Sequence, residues 1–140
     1  MTKEKNVALD LFSSFAVNEA LSDDGVWCHY TGDVYFLIGR AGNRHYRKVA
    51  QALYKKNTRI LDGQNEAANE KLTEIVVEAM AKGILLGWKG DVQYQGKPLE
   101  YSYENAKMLL QMERFRDTID SFAKDEAQFA AVQEAEQAKN

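Results

Sequence analysis

Between Val26 and Ile38 the apolar residues stop recurring at helical spacing and become runs of aromatic and β-branched side chains. Val26-Trp27-Cys28-His29-Tyr30 and Asp33-Val34-Tyr35-Phe36-Leu37-Ile38 are separated by Thr31-Gly32-Asp33 and read as a β-hairpin near residues 26–38. Two strands alone are marginal in water, so this hairpin must lean on helices. Pro98 is the single proline, and long helices elsewhere are easy to accommodate. The chain has 140 residues, which suits one domain. The expectation is a mainly α single domain over residues 1–130 with a small hairpin in its N-terminal third. A mobile tail is expected over 131–140, where little remains to bury.

The helical pattern is distributed over four segments. Val7, Ala8, Leu11, Phe12 and Phe15 give helical spacing over residues 5–21. After a turn at Gly39 to Gly42, Asn43 can cap a helix whose stripe is Tyr46, Val49, Ala50, Leu53 and Tyr54. A third helix is predicted from about Asn65 to Leu86, burying Leu72, Ile75, Val76, Ala79 and Met80. Residues 87–101 read as a loop or a second small hairpin. Ser102 then has the character of an N-cap for a last helical region running from Tyr103 towards Ala138. Within it Phe115, Ile119, Phe122, Glu126 and Phe129 alternate steps of four and three, close to a heptad seam.

Charge is unevenly spread, although the net value is only −3. Seven basic residues and no acid lie between Ile38 and Leu61: Arg40, Arg44, Arg47, Lys48, Lys55, Lys56 and Arg59. Glu66, Glu70, Glu74 and Glu78 follow at every fourth residue. The first reading is a complementary charged surface between neighbouring helices; the second is a phosphate-binding face.

Little in the chain points to catalysis. His29 and His45 are sixteen residues apart, and no compact Cys, His and Asp set has metal-ligand spacing. Cys28 is the only cysteine, which favours a reducing compartment. Its neighbour His29 should point to the opposite face of the strand, leaving the thiol without a base. The four glutamates lack an apolar pocket that would raise one of their pKa values. Gly90 to Lys97 has the wrong spacing for a nucleotide loop. Gly39-Arg40-Ala41-Gly42 has the Gly-x-x-Gly form of a KH nucleic-acid clamp, but it follows a strand where that clamp joins helices. We expect no enzyme, no metal and no cofactor. The charged N-terminus and broken apolar run do not form a signal peptide, so a cytoplasmic location is expected.

What remains is apolar surface on helices. Phe122 and Phe129 lie late, where little chain is left to cover them. They either pack back on the domain or form an oligomer seam or a groove for a partner segment. The candidate partner-binding set is Met108, Met112, Ile119, Phe122 and Phe129. Trp88, Tyr101 and Phe115 are expected to be architectural, locking a loop onto the last helix.

Two stretches carry a resemblance. One is Tyr35 to Tyr46, with its Ile38-Gly39-Arg40-Ala41-Gly42-Asn43 core. The other joins Leu86-Gly87-Trp88-Lys89-Gly90, Gly96-Lys97-Pro98-Leu99-Glu100-Tyr101-Ser102-Tyr103-Glu104-Asn105-Ala106, Leu109-Leu110 and Arg114-Phe115-Arg116-Asp117. Over roughly residues 25–130 their order and spacing resemble the tail assembly chaperones of long-tailed bacteriophages. The resemblance implies a helical, non-enzymatic protein that binds the tape measure protein and keeps it soluble. It further implies a capacity to bring tail tube subunits, self-association in some members, and often a longer frameshifted form. Such a protein would act in the host cytoplasm and be missing from the mature virion. The alternatives are a small nucleic-acid-binding protein using the basic helix 40–59, or a structural tail component retained in the virion.

Overall fold

The computed structural model describes residues 8–131. Its elements are α1 (Leu11–Phe15), α2 (Glu19–Asp24), β1 (Val26–Thr31), β2 (Val34–Ile38), α3 (Arg44–Lys56), α4 (Thr58–Asp62), α5 (Glu66–Gly83), β3 (Leu85–Lys89), β4 (Gln93–Tyr94), β5 (Lys97–Pro98), α6 (Tyr103–Leu110) and α7 (Glu113–Ala123). A 3₁₀ turn, Glu126–Phe129, follows.

The fold is α+β, not a mainly α domain with one hairpin. The hairpin forms as expected, Cys28 opposite Phe36 and Trp27 opposite Leu37. A third strand then joins it. β3 pairs antiparallel with β2, setting Phe36 opposite Trp88, so β2 lies at the centre of a three-stranded sheet. The reason lies at Gly83. The apolar run Ile84-Leu85-Leu86 continues the pattern of α5, but the helix ends at Gly83 with Ile84 as its C-cap, and Leu85-Leu86 open the strand. A second hairpin, β4 with β5, turns on Gln95 and Gly96, both with positive φ, the geometry that two-residue hairpin loops favour.

Local capping places the helices where they are. Asn43 accepts the Tyr46 N–H at 2.9 Å and opens α3; Asn65 accepts the Ala68 N–H and opens α5; Ser102 Oγ accepts the Asn105 N–H and opens α6. Asn43 is also buried, and its amide donates to the Gly83 carbonyl at 2.8 Å, tying the start of α3 to the end of α5. Gly83 permits that crossing, because a Cβ there would stand 2.7 Å from the Tyr46 backbone nitrogen.

Two expected long helices are broken. The segment predicted as one helix over 5–21 is split among the described residues, Ala16 and Val17 being extended, with Val17 bridged to Ala130. The segment from Tyr103 towards Ala138 turns at Gln111 and Met112, then ends at Ala123 before the 3₁₀ turn. There is therefore no continuous heptad seam through Phe129. Of the expected mobile tail, Ala131 donates its N–H to the Ala16 carbonyl; residues 132–140 lie outside the described residues.

The core lies between one sheet face and the helices. Cys28, Phe36, Ile38 and Trp88 meet Val77, Met80 and Ala81 of α5, Ala106, Leu109 and Leu110 of α6, and Ile119 and Ala123 of α7. Fully burying each large side chain of this set contributes about 1.5–3 kcal/mol. On the outer sheet face, the Lys89 ammonium stands 4.3 Å from the Trp27 ring centre and 5.1 Å from that of Tyr35. No helix among the described residues is long and apolar enough to cross a membrane.

Candidate functional site

The turn at Gln111–Met112 decides which apolar residues face outward. It sends α7 back against β2, carrying Ile119 into the core. The 3₁₀ turn then brings Phe129 beneath α2, where its carbonyl accepts the Asn18 N–H at 2.8 Å. Ile119 and Phe129 are 0 % exposed. Both were expected to contact a partner, and neither offers any surface for it. Phe122 is half-buried against the core.

The same turn leaves methionines outside. Met108 on α6 and Met112 at the corner are 38 % and 44 % exposed. Met112 lines an open groove of about 570 Å³ together with Tyr30, Phe36, Phe115 and Thr118, with Glu113 and Arg114 on the same wall. Tyr30 projects from β1 and is 55 % exposed. The floor is aromatic: the Phe36 ring meets those of Tyr30 and Phe115 at 5.8 and 5.7 Å between centres. The groove thus joins an aromatic floor to a flexible thioether rim, with a cation and an anion beside it.

Trp88, Tyr101 and Phe115 meet around the same floor. The Trp88 indole donates to the Leu99 carbonyl at 2.9 Å, and the Tyr101 hydroxyl donates to the Leu85 carbonyl at 3.0 Å. Their rings meet edge-on at 5.1 Å, and Phe36 bridges Trp88 to Phe115. Burial raises the Tyr101 pKa, so the hydroxyl keeps its proton and stays a donor. These residues fasten the 90–101 segment across β3 and support the groove from behind.

A second apolar surface had no place in the candidate set. Leu11, Phe12 and Phe15 on α1 are 63, 65 and 72 % exposed, and Leu9 before them is exposed as well. Their helical spacing was legible, but spacing does not say whether a stripe faces core or water. Tyr30 was likewise missed, because its partner wall comes from residues 82 or more positions later.

Cys28 and the Gly39–Gly42 loop are both tied into the fold. Burial, with Asp125 adding to it, pushes the Cys28 thiol up to about 11, so it is not a thiolate nucleophile near neutral pH. The Gly39–Gly42 loop spends its amides within the fold: Gly39 donates to the Ile84 carbonyl, Arg40 to Ser22 and Ala41 to Ala123. A clamp on a phosphate would need those amides free. Among the described residues no three His, Cys, Asp or Glu side chains lie close enough to share a metal ion. The charged helices do not match each other in the way first read. Although α3 packs on α5, no ion pair joins them among the described residues; Arg44 pairs with Asp23 and Arg40 with Glu126.

Residues 41–140 match the model of a family described as YdaY prophage protein. The match covers α3 to the chain end and leaves the β1–β2 hairpin outside it. No curated protein and no solved structure matches the chain.

Proposed function

We propose, from the premise that this chain belongs to the YdaY prophage protein family and is of phage descent, that it is a tail assembly chaperone. In this reading it is not an enzyme. It holds the tape measure protein in solution in the host cytoplasm, can bring tail tube subunits to it, works as a homo-oligomer, and departs before the virion is complete.

The observation that carries the reading is the open groove of Met112, Tyr30, Phe36 and Phe115. A tape measure protein is long and helical, and an amphipathic helix is recognised by an apolar groove with anchors at helical spacing. Met112 stands at the corner on the groove wall, and unbranched thioethers adapt to several client sequences. The resemblance over residues 25–130 points the same way. Affinity should be moderate. Each anchor fully withdrawn from water contributes about 1.5–3 kcal/mol, and association itself costs at least about 4 kcal/mol. Few anchors then leave a complex that can be released.

Co-expression tests this. The tape measure protein encoded with this chain should be soluble beside the wild type. It should precipitate without it, and also with Tyr30→Ser/Met112→Glu. A tape measure protein that stays soluble in the absence of this chain would refute the proposal. Mass spectrometry of purified virions should find no copy of the chain; its presence would favour a structural tail component instead.

A further inference from the structure

The outward face of α3 is strongly basic. On a helical wheel Arg44, Lys48, Gln51 and Lys55 form one stripe, opposite the side that carries Ala50 and Leu53 against α5. Arg44 is held by Asp23. Lys48 and Lys55, with Arg47, Lys56 and Arg59 on the flanks, enter no ion pair among the described residues. The acids that could have neutralised them, Glu66, Glu70 and Glu74, project from the opposite side of α5. Lys48, Gln51, Ala52, Tyr54, Lys55 and Thr58 surround an open depression of about 630 Å³.

We propose that this face binds the phosphodiester backbone of nucleic acid. The chain carries a net −3, yet the stretch from Arg47 to Arg59 holds five cations and no acid, and such segregation concentrates polyanions locally. Lys48 and Lys55 stand about 10 Å apart along the helix, at seven residues of 1.5 Å rise. A strand with a charge about every 3.4 Å can meet both. Between them lie Gln51, whose amide can donate to a phosphate oxygen, and Ala52, small enough to let a backbone approach. Tyr54 is the one large apolar side chain in the depression, and it can stack on a base. An acidic helix from a protein partner is the rival occupant. It is disfavoured because no Leu, Ile, Val or Met lines the depression to meet the apolar anchor such interfaces centre on. The inference stands apart from the chaperone reading, since it uses a different surface.

Fluorescence anisotropy of the full chain with a labelled DNA duplex, a labelled single strand and labelled polyglutamate tests it. Neutralising three phosphates predicts a roughly 40-fold loss of affinity between about 50 and 200 mM salt. Lys48→Glu and Lys55→Glu should each weaken binding about 5- to 10-fold. Lys97→Glu, which changes net charge equally on the β4–β5 hairpin, should weaken it less than about 2-fold. All three positions are exposed, so circular dichroism and thermal midpoint should match the wild type. A single strand bound more tightly than duplex supports the proposal with Tyr54 as a stacking group; equal binding supports it through backbone contact alone. No binding to either nucleic acid at about 50 mM salt, equal losses in all three variants, or polyglutamate binding as tightly as DNA would overturn it.

Discussion

The stripe Leu11, Phe12 and Phe15 on α1 and the stripe Phe115, Ile119 and Phe122 on α7 carry similar side chains at helical spacing. The first is more than three-fifths exposed, whereas the second is enclosed or half-buried. Composition does not separate them. What separates them is what the chain brings opposite. α7 is turned by the corner at Met112 onto the sheet, and Phe36 and Trp88 meet it there. α1 is one short helix whose apolar side meets no comparable layer among the described residues. An apolar stripe therefore marks a demand for burial, and topology decides whether the domain or a second polypeptide meets it.

The sharpest way to break this contrast is to truncate the enclosed side chains. Phe129→Ala should cost about 3–5 kcal/mol and Ile119→Ala about 2–5 kcal/mol, read as a lowered urea midpoint with unchanged slope. A loss below about 1 kcal/mol would mean that these residues are not packed as described. Asn43→Ala should follow with about 1–3 kcal/mol. It removes both the α3 cap and the buried donor to Gly83, leaving that carbonyl unpaired.

Acid titration gives a smaller effect. The Arg44 hydrogen bond, against the opposing effect of burial, holds the Asp23 carboxyl below the usual carboxylate range. Its stabilisation is complete above the unfolded value of about 3.9 and is lost as pH falls through the lower folded value. Asp23→Asn should flatten that acid limb in a pH series of urea midpoints. An unchanged limb would mean that the pair does not form in solution. The smallest expected change comes from α1. Phe12→Ser with Phe15→Ser should leave stability within about 0.5 kcal/mol per site, because exposed side chains have little to lose.

Capping was legible because it is local: Asn43 and Ser102 each act within three residues of their own positions. The first hairpin was legible for the same reason, its turn lying between its strands. β3 was not, since Leu85-Leu86 extends the apolar pattern of α5 and only pairing with a strand some fifty residues earlier makes it a strand. The break at Gln111–Met112 carries neither Gly nor Pro, so nothing in the local sequence announced it. The groove was half visible. Met112 and Phe115 were named from helical spacing, but Tyr30 and Phe36 reach them only through the fold. Ile119 and Phe129 lie inside the domain because the chain turns at Gln111–Met112, where a heptad reading assumes one uninterrupted helix.

The central claim is that the groove between β1 and the α6–α7 corner, not the C-terminal phenylalanines, receives the tape measure protein. Hydrogen–deuterium exchange on the chain alone and in complex with that protein tests it most directly. Slowed exchange over residues 26–36 and 108–118 is predicted, with Ile119 and Phe129 equally protected in both states. A complex that forms with no added protection in those two segments would contradict it.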